Sequence, residues 1–373
     1  MMPEVSSTQQ LNERQGLDFT DLRCPHCHGG SMTMGEENLL LCDDCLATFL
    51  CLVNSGVYSL LANSEDSAIK ADIQSWWGDL YRQLYADHET AYTQETFLGA
   101  LGELEDMFRQ RQHLAVLEMP IERLEGLKVL EIGPGGGGHS ALFKYRGADI
   151  TAVDITPERA LGTAMKLQLV AGSKGRAFQA DAENLPFRDN SFDIVYSNGV
   201  LHHSEDTDKC LAEVHRVLKP GGQAIIMLYA RHSATFWLNI LPRAILTGEI
   251  FRWPEAQWIG RLTEGTPKFG ATVNPVTRVY SSSEIENAFA AFDLSTLRKS
   301  SFQFDNFALP KLTQLRRGLL RLLGQRPHAG GKLVYGQLFY VETRLEKFLG
   351  RFIGFAWNIK AFKRHPSEMD EAS

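Results

Sequence analysis

The sequence lacks any long apolar run. The hydrophobic stretch "FWLNILPRAIL" is interrupted by Pro242 and Arg243, so it does not approach the roughly 20 apolar residues that a membrane-spanning helix needs. The first 20 residues lack the basic and then apolar order of a secretion signal. With 373 residues, of which 44% are hydrophobic and 22% charged, the chain resembles an ordinary globular protein of one to three modules. We therefore expect a cytoplasmic protein without a transmembrane segment.

Positive charge is scarce outside the C-terminal region. The net charge is −7, yet residues 311–364 contain 12 Lys and Arg against two acids, Glu342 and Glu346. The rest of the chain is therefore near −17, which argues against the broad basic surface that RNA binding usually needs. A basic segment on an acidic protein indicates an anionic partner or substrate, or simply a solvated face.

Cysteine is also sparse, but four of the six cysteines form a pattern. Two CxxC pairs, "CPHC" and "CDDC", are separated by 14 residues. Four thiolates paired in this way can close a tetrahedral shell around zinc, which is a structural site without an open position. Disulfides are the alternative, and a reducing compartment disfavours them. The predicted zinc ligands are Cys24, Cys27, Cys42 and Cys45.

The residues after the second cysteine pair predict two short strands. The segments "LATFLCLV" and "GVYSLL" flank a turn at residues 54–56. Residues 20–62 resemble the zinc ribbon of the Trm112 type, which occurs both as a small partner of methyltransferases and fused to them. Zinc would hold such a module together, because so few residues cannot bury a sufficient core.

Residues 63–120 predict helices, because apolar residues recur at helical spacing with few β-branched positions. The first helix carries an aromatic stripe. It consists of Trp76, Trp77, Tyr81 and Tyr85. Such stripes usually pack in a core, and the alternative is a helical lid over a substrate cleft.

From Leu127 onward, strand and helix patterns alternate. This alternation predicts an α/β fold with a parallel sheet covered on both faces and ligands at the carboxyl ends of the strands. The stretch "VLEIGPGGGGHSALF" places glycines at the first strand-to-helix turn, where a cofactor can approach bare backbone and helix-terminal N–H groups. Its spacing also satisfies the dinucleotide fingerprint, so a nicotinamide dehydrogenase is a competing hypothesis.

Five motifs in order resemble those of the class I S-adenosylmethionine-dependent methyltransferases, of the methyltransferase type 11 kind. They are Glu131-x-Gly133-x-Gly135-x-Gly137, Asp154, "QADAENLPF", "SNGVLHH" and "RVLKPGG". The resemblance covers residues 125–230. It implies a Rossmann-like, seven-stranded, mostly parallel sheet whose last strand, "FAWNIKAFK", runs antiparallel. It also implies S-adenosylmethionine as the cofactor.

The same resemblance suggests roles for the motif residues. Glu131 would orient the methionine moiety directly or through water, Asp154 would bind the ribose, and Asp181 with Ala182 would contact the adenine. The predicted cofactor-binding set is Glu131, Gly133, Gly135, Gly137, Asp154, Ile155, Asp181, Ala182 and Asn198. Methyl transfer from an activated sulfonium needs mainly alignment of nucleophile, carbon and sulfur.

Candidate catalytic bases follow the fourth and fifth strands. His203, in "SNGVLHH", matches a histidine that the family often carries near the methyl end of the cofactor, and a loop-bracing histidine is the alternative. His232 lies in "LYARHS" and Tyr280 in "VNPVTRVYS". The latter segment resembles one in a branch of these enzymes. Its Asn274, Thr277 and Arg278 would face the acceptor, or simply hold a loop. The predicted catalytic set is His203, Tyr280 and His232.

The predicted layout has seven parts. They are a flexible N-terminus (1–19), the zinc ribbon (20–62), a helical lid or linker (63–120), the cofactor-binding core (121–230), a substrate insert (231–292), the C-terminal part of the domain (293–365) and a flexible tail (366–373). The amphipathic, basic helices of the C-terminal part would cap the cleft, form a homodimer interface or touch a membrane.

The expected function is methyl transfer to an O, N, S or C atom of a small molecule, which could be anionic or lipid-like. RNA methyl transfer is the alternative, because the order of zinc ribbon and methyltransferase resembles certain ribosomal RNA enzymes. A non-catalytic adaptor is a third hypothesis. The fourth-strand motif "SNGV" is not the Asn/Asp-Pro-Pro-aromatic signature of enzymes that methylate exocyclic base nitrogens.

Overall fold

The structure is a computed structural model that describes residues 19–53, 55–62, 67–84, 92–263, 273–307 and 310–365. The flexible segments predicted at 1–19 and 366–373 lie outside these residues, except for Phe19. The aromatic Tyr85 of the predicted stripe also lies outside them.

The described strands form one sheet with the order β1-β2-β3-β4-β7-β6-β5-β8-β9-β11-β10. They are β1 (Met32–Met34), β2 (Leu39–Cys42), β3 (Thr48–Leu52), β4 (Val57–Ser59), β5 (Lys128–Ile132), β6 (Asp149–Asp154), β7 (Gly175–Gln179), β8 (Phe192–Asn198), β9 (Leu218–Tyr229), β10 (Phe292–Ser300) and β11 (Ala356–Lys363). Strands β5 to β9 are parallel. Strand β11 is antiparallel to both β9 and β10, as predicted for the last strand.

Several helices begin after a residue whose side chain caps the first turn. They are α1 (Ala68–Leu84), α2 (Gln94–Arg111), α3 (Leu114–Leu117), α4 (Gly138–Tyr145), α5 (Pro157–Gln168), α6 (Thr207–Val217), α7 (Leu241–Thr247), α8 (Glu255–Thr263), α9 (Ser282–Ala288), α10 (Pro310–Leu322), α11 (Gly331–Tyr335) and α12 (Arg344–Ile353). Thr93, Ser281 and Thr343 each form a reciprocal capping box with the residue three positions on, which satisfies backbone N–H groups that the first turn leaves unpaired.

Two hydrophobic clusters cover the two faces of the sheet. On one face, helices α2 and α4 bury Phe97, Leu101 and Phe143 against strands β5, β6 and β8. On the other face, helices α6 and α9 pack together with the N-terminal ribbon. Helices on both faces make this the doubly wound α/β architecture that the strand and helix alternation predicted.

The sheet has more strands than the seven predicted. Strands β5 to β11 are those seven, and the four ribbon strands extend the same sheet because β4 pairs in parallel with β7. An unpaired edge strand exposes its N–H and C=O groups, so a neighbouring strand that covers them is favourable. The sequence indicated the ribbon but not this junction.

Candidate functional site

A cavity of about 420 Å³ lies at the carboxyl ends of the parallel strands. Each of the strands β5 to β9 contributes a residue at or just beyond its end. These residues are Gly133, Asp154, Asp181, Asn198 and Tyr229. Parallel strands bring their carboxyl ends to one edge of the sheet, so motifs that are far apart in the sequence meet in one place.

Seven of the nine predicted cofactor-binding residues line this cavity. They are Gly133, Gly135, Asp154, Ile155, Asp181, Ala182 and Asn198. Glu131 and Gly137 are not among the lining residues. The structure therefore brings most of this set together. Of the other two, Glu131 lies on β5 before the glycine loop, and Gly137 lies at the end of that loop, where α4 begins.

The glycine loop needs its glycines for two separate reasons. Gly133 and Gly137 have φ values of +71° and +76°, a region that side chains rarely adopt. A Cβ on Gly133 would lie 2.3 Å from Val200, and one on Gly137 would lie 2.9 Å from the backbone of Thr163. A side chain at either position would therefore collide with a neighbour, either Val200 in the cavity wall or Thr163 on α5, and the loop presents backbone.

Glu131 is buried beneath this loop. Its side chain is 1% exposed, accepts a hydrogen bond from the Ser140 hydroxyl and lies 3.7 Å from Nδ1 of His139. Burial raises the pKa of Glu131 to about 8, since the charged form loses its hydration. His139 does not balance this charge, because burial lowers the pKa of its imidazole to about 3.

Asp154 is held at the end of β6 by its own turn. The backbone N–H and the hydroxyl of Thr156 donate to Oδ1 of Asp154 at 2.9 and 2.8 Å. Because both of these bonds use Oδ1, the second oxygen retains acceptor capacity at the cavity wall. Burial raises the pKa of Asp154, and the nearby Arg159 opposes that shift.

Asp181 has a partner that the sequence did not indicate. Lys70 of helix α1 lies with its Nζ 2.6 Å from Asp181 and 3.0 Å from Glu183. Burial alone would lower the pKa of Lys70, but hydrogen bonds and charge from the two carboxylates raise it above its ordinary value. These ion pairs connect helix α1 to the loop after β7.

Helix α1 forms part of the cavity wall. It contributes Lys70, Ile73, Trp77 and Leu80 to the lining, residues spaced along one helical face. Of the three described residues of the predicted aromatic stripe, Trp77 is among the lining residues, while Trp76 and Tyr81 are buried beside it. The guanidinium of Arg159 lies over the rings of Trp77 and Tyr81, at 5.8 and 5.4 Å from their centroids.

His203 lines the cavity beneath Trp77, with ring centroids 4.9 Å apart. Its Nδ1 lies 3.1 Å from the backbone oxygen of Val276, 3.0 Å from the hydroxyl of Thr277 and 3.3 Å from the amide of Asn274. Asn274 and Thr277 are fully buried. They therefore hold the His203 ring from behind and do not reach the cavity themselves.

The other predicted catalytic residues lie elsewhere among the described residues. Tyr280 does not line the cavity, because its side chain packs into the core behind α6 and hydrogen-bonds Thr207. His232 is exposed, and its ring stacks on Trp237. Arg278 donates to the backbone oxygens of Ser204 and Glu205, both at 2.6 Å, so it braces the loop after His203.

The far end of the cavity includes residues that no motif indicated. These are Met227, Ser300, Asn358 and Arg111, and they lie there together with Tyr229 of the quoted segment "LYARHS". Arg111 forms a bidentate ion pair with Glu342, the closest approach being 2.7 Å. Because these residues come from strands and helices distant in sequence, periodicity shows that they are buried but not which of them meet.

The four predicted zinc ligands lie together in the ribbon. Their Sγ atoms are all within 4.8 Å of one another, with Cys24–Cys45 at 3.7 Å and Cys27–Cys42 at 3.6 Å. The loop after β7 contacts this cluster, since the amide of Asn184 donates to the backbone oxygen of Pro25 at 2.8 Å.

These features define the class of protein. A doubly wound sheet with an antiparallel last strand, a glycine loop and an acid at the end of β6 are the fold and site of S-adenosylmethionine-dependent methyltransferases. The sequence model of the family described as "Methyltransferase domain" matches residues 130–226.

Curated relatives support the same assignment. The ubiquinone biosynthesis O-methyltransferase of Pseudomonas syringae pv. tomato is 32% identical over 170 residues, which cover 42% of this chain and 73% of that protein. The cycloartenol-C-24-methyltransferase 1 of rice, Oryza sativa subsp. japonica, is 33% identical over 121 residues, covering 32% of this chain and 34% of that one. The chain belongs to the S-adenosylmethionine-dependent methyltransferases, and its cofactor is S-adenosylmethionine.

Solved structures show similar but distant folds. The magnesium protoporphyrin IX methyltransferase from Synechocystis, with bound S-adenosylhomocysteine, is 13% identical with a TM-score of 0.43, covering 80% of this chain and 100% of that one. A complex of the Haloferax volcanii Trm112 methyltransferase activator with a methyltransferase is 16% identical with a TM-score of 0.41, covering 74% and 100%.

A helix that crosses a bilayer must be both long enough and apolar enough. In the helices of the described part of the chain, these two properties do not occur together.

Proposed function

We propose that this methyltransferase acts on a small molecule with an apolar body and an uncharged polar group. One observation carries the proposal. A single cavity runs from the glycine loop to strands β9, β10 and β11, beneath helix α1. Cofactor and acceptor would therefore share one enclosed space, which suits a molecule that enters whole.

The cofactor end is assigned by the motif residues that line it. In this proposal Asp154 accepts hydrogen bonds from the ribose hydroxyls, and Asp181 with Ala182 flanks the adenine. The glycine loop packs against the methionine moiety. Glu131 acts from behind, through Ser140 and the start of α4, and a cationic amine near it would favour its charged form.

When bound, S-adenosylmethionine supplies an electrophilic methyl group on a sulfonium. The residues of this chain then need to align a nucleophile with that carbon, and such alignment accounts for about 7–11 kcal/mol in favourable cases. Helix α1 contributes by covering the cavity with Ile73, Trp77 and Leu80, which excludes water from the reacting groups.

His203 is the proposed base. Nδ1 lies 3.1 Å from the backbone oxygen of Val276, which can only accept a hydrogen bond, and 3.3 Å from the amide nitrogen of Asn274, which can only donate one. Because that amide nitrogen makes a shorter bond of 2.9 Å to the Thr277 hydroxyl, we assign the proton of the neutral ring to Nδ1. Nε2 is then the acceptor nitrogen that would take the proton of a hydroxyl nucleophile. Because Tyr280 and His232 lie outside the cavity lining, we do not include them in the proposed catalytic site.

The acceptor end favours an uncharged polar group over an anion. Each cationic side chain described in the lining faces a carboxylate, since Lys70 pairs with Asp181, Arg111 pairs with Glu342 and Arg159 lies near Asp154. Met227, Tyr229 and Trp77 would contact an apolar body, while Ser300 and Asn358 offer hydrogen bonds. Two relatives are named for ubiquinone biosynthesis and for cycloartenol, and both of these molecules are apolar.

We propose that the cysteine cluster binds one structural zinc ion. Tetrahedral zinc with sulfur ligands at about 2.3 Å requires sulfurs about 3.8 Å apart, close to the 3.6 and 3.7 Å observed. Four thiolates leave no open position for catalysis. We also propose the predicted boundaries, with residues 20–62 as the ribbon and 231–292 as the insert. The described residues of the insert do not line the cavity, and Asn274, Val276 and Thr277 support it through their contacts with His203.

Two measurements test the proposed function. Calorimetry should detect S-adenosylmethionine binding and no binding of nicotinamide dinucleotides. Transfer of a labelled methyl group should then be assayed with phenols and quinols that carry apolar substituents. His203→Ala should lower turnover by about 100-fold and leave cofactor affinity within about threefold.

His232→Ala provides the matched control, because this histidine is exposed and outside the cavity. Its turnover should equal that of the wild type. Wild-type turnover by His203→Ala would contradict the proposed base. Methylation of transcribed ribosomal RNA fragments, with strongly salt-dependent binding, would favour the RNA alternative.

A further inference from the structure

Three elements of the C-terminal half expose large apolar side chains. These residues, which we call the apolar surface, are Trp237, Leu238, Ile245, Leu246 and Phe251 in segment 236–253, Leu315, Leu319 and Leu322 on α10, and Leu345, Phe348 and Phe352 on α12. Leu246 is 85% exposed, Phe251 82% and Leu322 87%. Single exposed apolar residues are ordinary, but contiguous ones mark an interaction site.

The three elements are connected by direct contacts. Lys299 donates through Nζ to the backbone oxygens of His232 and Phe352, and the ring of His232 stacks on Trp237 with centroids 6.5 Å apart. Segment 236–253 therefore adjoins the end of α12. The paired side chains of Arg316 and Glu346, 2.7 Å apart, join α10 to α12.

Positive charge exceeds negative charge around the apolar surface, where the acids Glu249, Glu255 and Asp305 each pair with an arginine. The two acids of residues 311–364 are both buried in ion pairs, Glu342 with Arg111 and Glu346 with Arg316. Many basic residues remain at the surface. They include Arg252, Lys311, Arg317, Arg321, Arg344 and Arg351. Exposed Arg and Lys thus alternate with exposed Leu and aromatic residues.

The apolar surface borders the acceptor end of the cavity. The backbone N–H of Phe355, just after α12, donates to the oxygen of Ser301 at 3.2 Å, and Ser301 lines the cavity. Tyr229, another lining residue, packs against the cluster that supports segment 236–253.

We propose that the apolar surface docks onto the interface of an anionic lipid bilayer. Its leucine and aromatic side chains would enter the boundary between headgroups and acyl chains, and its arginines would contact anionic headgroups. A second copy of the chain would instead bring two positive surfaces together, which like-charge repulsion disfavours. The consequence for catalysis rests on the proposed function. An apolar acceptor dissolved in that bilayer would enter the cavity at its acceptor end.

Vesicle sedimentation tests the proposal with the full chain and needs no acceptor. The wild type should bind vesicles of equal parts phosphatidylglycerol and phosphatidylcholine, and should bind phosphatidylcholine alone at least about tenfold more weakly. Phe348→Ser/Phe352→Ser should lose about tenfold or more in affinity for the anionic vesicles. Leu246→Ser/Phe251→Ser serves as a second variant on another element.

Leu50→Ser/Met165→Ser is the matched control and should bind like the wild type. These residues are 66% and 54% exposed, comparable with Phe348 at 55% and Phe352 at 62%, but lie on the ribbon and on α5. Calorimetry with S-adenosylmethionine should give the same affinity for every variant, which shows an intact fold and separates this proposal from the proposed function.

Three outcomes would overturn the proposal. The first is a wild-type protein that stays in the supernatant with anionic vesicles. The second is an equal loss of binding in the matched control. The third is an absence of vesicle binding together with a dimer, seen by light scattering, that the Phe348→Ser/Phe352→Ser substitutions convert to a monomer. This result would assign the surface to a second copy of the chain.

Discussion

Lys70 connects helix α1 to the loop that carries Asp181, and its removal should loosen the cover of the cavity. The ammonium lies 2.6 Å from Asp181 and 3.0 Å from Glu183. The side chains of Lys70, Asp181 and Glu183 are 24%, 18% and 4% exposed. Lys70→Met keeps most of the aliphatic stem but leaves two neighbouring carboxylates without their shared cation.

The size of the effect follows from this partial burial. Breaking one partner of a fully buried ion pair costs about 3–5 kcal/mol, whereas exposed pairs contribute about 0–1 kcal/mol. Because the burial of Lys70 lies between these limits, we expect Lys70→Met to lower the free energy of unfolding by about 1–3 kcal/mol. Arg82→Met is the matched control on the same helix, because Arg82 is 52% exposed and pairs with Asp79 and Glu158. We expect about 1 kcal/mol or less from it.

Two assays measure the consequence. Urea unfolding gives the loss of free energy, and stopped-flow displacement gives the dissociation rate of S-adenosylmethionine, which should rise several-fold in Lys70→Met and little in Arg82→Met. If the two variants have equal stability and equal dissociation rates, then the ion pairs do not hold helix α1 over the cavity and the reasoning is refuted.

Three further predictions concern the cofactor site and the ribbon. Asp154→Asn should weaken S-adenosylmethionine binding, measured by calorimetry, by about 10–100-fold, because hydrogen bonds to a charged acceptor are worth about 1.5–3 kcal/mol. An unchanged affinity would show that Asp154 does not bind the ribose. Burial raises the pKa of Glu131 from 4.5 to about 8, so the folded protein retains a proton that the unfolded chain releases. The stability from this group is complete below about pH 4.5 and is lost as the pH rises to about 8. Glu131→Gln should therefore flatten the fall in melting temperature of the cofactor-free protein over this range, and an unaltered slope would contradict the shift. Cys42→Ser should lower the zinc content measured by elemental analysis and the melting temperature together, and a wild type without zinc would refute the metal assignment.

The sequence predicted the fold because its signals are local. Strands β5 to β9, the helices between them and the antiparallel β11 each have a hydrophobic period that identifies them. The cofactor end was equally accessible, since Gly133, Asp154 and Asp181 each follow a predicted strand, and parallel strands must end at one edge. The cysteine pairs predicted their own proximity through spacing alone.

The parts that were not predicted depend on contacts between distant segments. Nothing in the local pattern around Lys70 indicates that it meets Asp181, which is 111 residues away. The same is true of Asn274 and Thr277, whose polar side chains suggested an acceptor contact but which hold His203. Tyr280 follows a promising motif, yet its position depends on how the insert returns to the sheet. The bridge from Ala230 to Tyr280 turns that side chain toward α6.

The pairing of β4 with β7 means that the ribbon and the catalytic domain share one continuous backbone hydrogen-bond network. Strand β7 pairs with β6 on one side and with β4 on the other. Deletion of the ribbon would therefore expose the backbone N–H and C=O groups on the outer side of β7 to strands of other molecules. By covering this edge, the ribbon would prevent the domain from associating with itself through β7. With the zinc ion that we propose, loss of the metal would also release β4 from β7, so that the ribbon and this edge of the domain would unfold together.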